Sequence, residues 1–415
     1  MSYKDEADGN KIKHFNPNDN FHLKIRNLSQ YRVDVYWDDG MYGNLVGTMN
    51  VGDDDLQVNT FLNHGFFVTR HGTKDILYEE GEEEQERIRL IASHPNQILE
   101  IALDVGPSND PCRDRFTMCP TEAKKGSCLT APGWMIVHCC ESCQSDLNSR
   151  ELIDVNKRCS REHLNVTEPI WKPGDLNKLF EHWATDPSFA PYEPKVWSSP
   201  DPQKYGGADG PWIVTFDNFI TDLEVADVIH GGHISGFERS TDQGAVAKNT
   251  GEQEKVVSKT RTSSNAWCRG ECERLPGVKS LTAKIERFTQ VPHRHFESYQ
   301  ILDYEPNQFY RSHHDSARRD LTMSGPRIMT FFLYLSDVEE GGETRFTSLN
   351  ISVKPKKGRA LIWPSVTDDD PGYWDDRTYH EAKAVIKGKK YAANHWIHLY
   401  DFVTPNEWGC TGGFA

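Results

Sequence analysis

The sequence predicts a mainly β protein, a sandwich or barrel flanked by helices, with a separate cysteine-rich module. Three observations carry this. Val33, Val35 and Trp37 recur at every second position in Arg32-Val33-Asp34-Val35-Tyr36-Trp37, as a half-buried strand requires. Four strand-like apolar runs, Tyr299–Tyr304, Arg327–Leu335, Ala360–Trp363 and Tyr391–Tyr400, crowd the C-terminal half after two helical stretches. Six of the ten cysteines fall between Cys112 and Cys143, too short a span to build a core of its own.

Residues 21–104 read as the first β module, with Asp39-Gly40 as the turn after its Trp37 strand. Glu79 to Glu86 is an acidic run, expected as a solvated loop or helix start. The cysteine module spans 110–146. A zinc site competes with disulfides there, but Cys140 and Cys143 form a CxxC pair without a clear second pair, which favours disulfides and an oxidising compartment. Residues 147–209 hold scattered prolines, Pro169, Pro173, Pro187, Pro191, Pro194, Pro200 and Pro202, and read as a linker with short helices. Thr221-Asp222 is positioned to cap a helix over Leu223–His230, and Gly277–Phe288 holds another. Cys268 and Cys272 suit a local disulfide, while Cys410, in the tail 404–415, is open between a distant partner and a free thiol.

Composition excludes several function classes. The net charge of −15 argues against a bulk electrostatic grip on nucleic acid. A mean hydropathy of −0.68, with no long apolar run, argues against a transmembrane helix. Sequons at Asn27, Asn165 and Asn350 permit glycosylation. The cysteine module points to the endoplasmic reticulum lumen or secretory pathway. Met1 to Asn20 is polar and lacks the apolar core of a signal peptide, so a cytoplasmic location stands as the alternative. Nothing in the sequence sets an oligomeric state.

The chemistry concentrates in Tyr304–Asp315. His313 and Asp315 are two residues apart, so on a strand both side chains reach one face. An imidazole and a carboxylate on one face, joined by a remote histidine such as His380, make the 2-His-1-carboxylate triad of non-haem Fe(II) oxygenases. Three protein ligands leave room for a bidentate co-substrate and O2. His314 is available in place of His313. Ten residues after His380 comes Lys390, a point charge able to pair with the far carboxylate of a 2-oxo acid.

At these residues the chain resembles the prolyl 4-hydroxylases, the Fe(II)/2-oxoglutarate dioxygenases of the collagen and plant or algal type. The matching motifs are Tyr304–Asp315, Gly325–Thr330 through Tyr334–Thr344, Val353–Gly358, and His380 through Trp396; Phe216–Phe219, Gly236–Ser240 and Arg261–Ser264 agree. The resemblance covers about 210–403 and implies a double-stranded β-helix, or jelly roll, as the catalytic fold. It implies that His313, Asp315 and His380 bind iron, and that Lys390 pairs with the distal carboxylate of 2-oxoglutarate. It further implies that Tyr304 and Thr344 hydrogen-bond that co-substrate, and that Tyr310, Arg327 and Trp396 line the approach of a peptide proline. The implied reaction is hydroxylation of peptidyl proline at C4, with O2 as co-substrate, 2-oxoglutarate decarboxylated to succinate and CO2, and ascorbate sustaining the iron. Two alternatives are a dioxygenase of the same class acting on another residue, and a peptide-binding adaptor with a vestigial iron site.

The cysteine stretch resembles an ShKT module, through Cys112, Cys119, Cys128, Pro132–Met135, Cys139 and Cys143. That resemblance pairs Cys119 with Cys139 and Cys128 with Cys143; Cys112 then takes Cys140 or Cys159. Residues 21–78 resemble the β-domain of the von Hippel–Lindau protein, a reader of hydroxyproline, with Trp37, Thr60, His64 and Phe66 at the pocket positions. Val46 and Phe66 stand where that family carries a tyrosine and a tryptophan.

Overall fold

The protein is described by a computed structural model covering all residues except 1, 5–11, 15, 17, 74, 80–89, 104, 108–109, 247–252, 317–321 and 412–415. It divides into two units between Arg158 and Cys159. The acidic run expected over Glu79–Glu86 lies, beyond Glu79, outside the described residues.

Alternating burial builds the N-terminal unit. In β1 (Phe21–Asn27), Phe21, Leu23 and Ile25 point inward while His22 and Lys24 face solvent, the period of a strand with one wet face. Beyond it come β2 (Val33–Trp37), β3 (Asn44–Met49), β4 (Leu56–Thr60), β5 (Gly65–Arg70), β6 (Leu90–Ile91) and β7 (Ile98–Ile101). They form two sheets, β7-β1-β4 and β3-β2-β5-β6, whose inner residues share one core. β2 differs from a half-buried strand: between Val33 and Val35, Asp34 is buried too, accepting from Thr48 Oγ1 at 2.5 Å and meeting His71 Nδ1 at 2.8 Å. The Asn27 sequon is also turned inward, with Nδ2 donating to the Tyr31 carbonyl at 2.8 Å, while Asn165 and Asn350 are exposed.

The cysteine module has three short helices, α1 (Cys119–Lys124), α2 (Ser127–Thr130) and α3 (Pro132–His138), around Cys112–Cys140, Cys119–Cys139 and Cys128–Cys143 disulfides. Cys112 thus pairs with Cys140, leaving Cys159 to bond Cys410, which is not free; Cys268 bonds Cys272.

The second unit begins earlier than its prolines suggest. Residues 147–209, read as a linker, contribute core structure. α4 (Asp175–Thr185) buries Leu176, Phe180 and Trp183, and β8 (Pro194–Ser199) joins the main sheet. Three of the prolines sit at starts: Pro194 opens β8, Pro187 opens a short 3-10 segment that also contains Pro191, and Pro202 opens a single helical turn. Next come β9 (Ile213–Phe216), α5 (Asp222–Ser235), β10 (Ser264–Trp267) and α6 (Pro276–Thr289). α5 has the expected Thr221 cap, closed as a capping box with Glu224, but continues past His230 through Gly231 and Gly232. A side chain at Gly231 would strike Cys272 Sγ, so this glycine serves packing rather than termination.

The strands that complete the two facing sheets are β11 (Gln300–Tyr304), β12 (Tyr310–His313), β13 (Arg327–Tyr334), β14 (Thr344–Phe346), β15 (Ile351–Val353), β16 (Ala360–Pro364), β17 (His380–Ala382) and β18 (Lys390–His398), followed by α7 (Val403–Glu407). The main sheet has nine strands, in the order Ala208–Asp209, β8, β9, β16, β13, β18, β11, β10, Glu238–Arg239; a smaller one runs β12-β17-β14-β15. β13 is apolar on both faces. Phe331 and Leu333 join the core with α4, α5 and α6, whereas Phe332 and Tyr334 join a second core with Phe346, Val353 and Ala382 of the smaller sheet. The site described next lies in this inter-sheet layer.

Candidate metal and co-substrate site

β12 and β17 are antiparallel neighbours, and their register sets His313 opposite His380. Asp315 follows β12 by two residues, so its carboxylate returns to the same side. Oδ1 lies 3.5 Å from His313 Nε2 and 3.7 Å from His380 Nε2, and one donor atom from each residue falls within 4.8 Å of the others. Both imidazoles are oriented by backbone carbonyls: His313 Nδ1 donates to Arg311 O at 2.9 Å and His380 Nδ1 to Thr378 O at 3.0 Å. With Nδ1 protonated, Nε2 of each ring presents a lone pair to the centre. Thr330 Oγ1, on β13, donates to the outer oxygen of Asp315 at 2.7 Å.

The electrostatics fit a divalent cation. Burial opposes ionisation of Asp315, but His380, His313 and the Thr330 hydroxyl together hold its carboxyl well below the usual range. Burial lowers His380 to about 4, so it is a neutral imidazole at physiological pH. Two imidazole nitrogens and one carboxylate, converging at a partly open position, match the donor set of an Fe(II) facial triad.

His314 faces away from this cluster. Its Nδ1 accepts from Ser316 N at 3.0 Å, and its Nε2 lies 2.9 Å from Thr378 Oγ1 and 3.1 Å from Asp375 O. It therefore bridges the His-x-Asp segment to the turn that delivers His380.

Lys390 opens β18 and is wholly buried. Its Nζ donates to Gly342 O at 2.8 Å and lies 5.1 to 5.5 Å from the rings of Tyr304, Phe332 and Tyr334. Among the described residues no carboxylate is within ion-pair distance of it. Burial lowers it to about 7, opposed only by Glu343. A buried ammonium without a counter-ion is costly unless an anion joins it. Thr344, also buried, accepts from Tyr334 OH at 2.7 Å.

Arg327 lies 3.7 Å over the Trp396 ring, gripped by Glu297 through Nε at 2.5 Å and Nη2 at 2.9 Å, while Nη1 reaches the Asp315 carbonyl at 3.2 Å. Tyr310 stacks on His313 with ring centroids 3.6 Å apart. Sequence reasoning missed Thr330, Glu297 and His398. Thr330 does leave a signal, a hydroxyl inside an apolar run. Glu297 and His398 leave none, being joined to each other across 101 residues.

In the N-terminal unit, Trp37 and His64 have ring centroids 5.2 Å apart, and Thr60 Oγ1 lies 3.1 Å from His64 Nδ1. Phe66 is the cross-strand partner of Trp37 and, like Thr60, is buried, belonging to the sandwich core against which the half-buried Trp37 packs.

Residues 299–398 match the model of the 2OG-Fe(II) oxygenase superfamily. The chain is 34% identical over 208 residues to probable prolyl 4-hydroxylase 9 of Arabidopsis thaliana, covering 46% of this chain and 70% of that protein. It is 31% identical over 254 residues to prolyl 4-hydroxylase subunit alpha-2 of Caenorhabditis elegans, covering 59% of this chain and 43% of that protein. Among solved structures, the viral collagen prolyl hydroxylase of Paramecium Bursaria Chlorella virus-1, in complex with 2OG, aligns at 25% identity and a TM-score of 0.35, covering 46% of this chain and 97% of that one.

Proposed function

The chain belongs to the prolyl 4-hydroxylase family, and on that premise we propose a task for each buried polar group around His313, Asp315 and His380. The protein is an Fe(II)- and 2-oxoglutarate-dependent dioxygenase that hydroxylates proline in a polypeptide. In our reading the oxidation falls on C4 and the catalytic fold is a double-stranded β-helix made by the two facing sheets. His313, Asp315 and His380 would hold the iron, which would supply O2 activation coupled to decarboxylation of 2-oxoglutarate to succinate and CO2.

The chain's own residues bind and orient. The Nδ1 bonds of His313 and His380 keep both Nε2 atoms aimed inward before any metal arrives. Lys390 receives the distal carboxylate in a dry pocket, where a charge-assisted bond is stronger than in water. Tyr304 and Thr344 wall that pocket. Arg327, pinned by Glu297 and flat on Trp396, presents a rigid edge with Tyr310 to the incoming proline. Ascorbate would serve as the reductant for iron held at these three residues.

The observation carrying this reading is the buried Lys390, without a counter-ion among the described residues, in the same inter-sheet layer as three converging candidate metal donors. The test is succinate release from 2-oxoglutarate with Fe(II) and ascorbate, with and without proline-rich peptides followed by mass spectrometry. Peptide-dependent release with one added oxygen on proline is expected. Turnover without oxygen on proline moves the substrate to another residue; folded, iron-loaded protein without turnover leaves the adaptor reading.

For the accessory modules we propose a von Hippel–Lindau-like β-domain and an ShKT-like module in a secreted or lumenal protein, a reading supported by the seven-stranded sandwich and the five disulfides. Trp37, His64 and the exposed Phe61 offer an aromatic face to a proline-containing segment. In the full chain, Trp37→Ala should raise KM for a long multi-site peptide and leave a short single-site peptide unchanged. Equal effects on both would remove the module from substrate capture.

A further inference from the structure

The catalytic unit has a second concavity that the reaction does not use. A cavity of about 540 Å³ lies among α6, the segment Phe296–Tyr299, His395 on β18, and α7. None of the metal or co-substrate residues lines it. The strand period explains the separation. Lys390 and Trp396 point to one face of β18, and His395, with Ala393 and Ile397, points to the helix-covered face.

The floor is aromatic. Tyr299 stacks on His395 with centroids 4.1 Å apart, and Phe296 meets the same ring edge-on at 5.0 Å. His395 is 2% exposed, and among the described residues neither of its ring nitrogens has a hydrogen-bond partner of good geometry, the Glu297 backbone being its polar neighbour. A buried imidazole left in this state marks a place where a ligand or ordered water completes the structure. The rim is acidic: Glu273, Glu286 and Glu407 stand against Lys279 and His293. The α7 wall is anchored by Arg294, which pairs with Asp401 at 2.7 Å and donates to Thr404 at 3.0 Å, and by the Cys159–Cys410 disulfide.

We propose that this cavity is a second ligand site for a small aromatic cation, its ring on the Tyr299–His395 floor and its ammonium at the carboxylate rim. The volume suits one ring with a short chain, and the rim's charge selects a cation. The site also touches the catalytic machinery. Glu297 lines the cavity and grips Arg327 from behind; Phe402, another wall residue, stacks on His398, which bonds Glu297 at 2.7 Å. An occupant therefore bears on the Arg327 side of the peptide approach and not on Lys390, so it shifts KM for peptide and leaves KM for 2-oxoglutarate unchanged.

The test is isothermal calorimetry on the full chain with three probes of one skeleton: phenethylamine, 2-phenylethanol and phenylacetate. Saturable binding of phenethylamine is expected, with the neutral and anionic probes weaker by about ten-fold or more, the scale of one charge-assisted contact. Ala283→Trp, which fills the cavity from α6, should abolish binding, and Glu286→Gln with Glu407→Gln, on the exposed rim, should weaken it without disturbing the fold. Equal binding of all three probes overturns the cationic class. No saturable binding, or binding untouched by Ala283→Trp in folded protein, overturns the site. If Ala283→Trp fails to fold, unchanged phenethylamine affinity in the rim variant overturns the proposal.

Discussion

His313 and His380 face one another across paired antiparallel strands with ring centroids 4.3 Å apart, and each gives its Nδ1 proton to a backbone carbonyl two residues earlier. The two candidate donors are thus oriented by main chain, while the third, Asp315, is oriented by a side chain, Thr330. On the proposed metal site, that asymmetry makes the carboxylate the donor most open to weakening by mutation.

Thr330→Val keeps the shape of the β13 residue and removes the hydroxyl from Asp315. Loss of such a supporting bond costs about 10- to 100-fold in metal affinity. Titration of the apo protein with Fe(II) under anaerobic conditions should show this, with the unfolding midpoint nearly unchanged.

His314→Phe retains the ring contacts to Trp374 and Tyr379 but leaves Thr378, Asp375 and Ser316 without their imidazole partner. Stability should fall by about 1–3 kcal/mol, and iron should bind more weakly because Thr378 also orients His380. Urea unfolding and metal titration separate the two effects; unchanged values in both would mean the bridge is dispensable.

Lys390 is held to about 7 by burial. Its ammonium is the form that pairs with a carboxylate, so in the free enzyme that form is lost as pH rises through about 7. Apparent affinity for 2-oxoglutarate should then fall by about ten-fold per pH unit above that point. Lys390→Arg, whose charge does not titrate in this range, should flatten the profile. Calorimetry across pH 6 to about 9 would measure both.

Glu297 is lowered to about 2, because Arg327 and His398 outweigh the burial that would raise it. The unfolded chain takes up this proton first on acidification. Its contribution to stability is therefore complete above the ordinary carboxyl value near 4.5 and is lost as pH falls toward about 2. Glu297→Gln should remove that part of the acid limb in thermal unfolding and raise KM for peptide by loosening Arg327.

Much of the catalytic unit was legible in the sequence because it is local. The short apolar runs Arg327–Leu335 and Tyr391–Tyr400 mark buried strands, His313-x-Asp315 places two donors on one side, and Thr221 announces a helix start. The prolines of 147–209 misled, since a proline at the first residue of a strand or helix reads like one in a linker until its neighbours are known. The helix expected over Leu223–His230 runs on to Ser235, and what Gly231 accommodates there, Cys272 Sγ, comes from a distant segment.

By itself the sequence determined the strand character of its apolar runs and the placing of His313 and Asp315 on one side, which the two-residue repeat of a strand encodes within a few residues. Tertiary structure alone decided that Thr330 steadies Asp315, that Glu297 and His398 steady Arg327, that Asn27 is turned inward, and that Cys410 finds Cys159. Those relations depend on strand order in the nine-stranded sheet and on chain closure across hundreds of residues. No local pattern carries them, because the partner of a buried polar group is whichever donor the finished packing brings within reach.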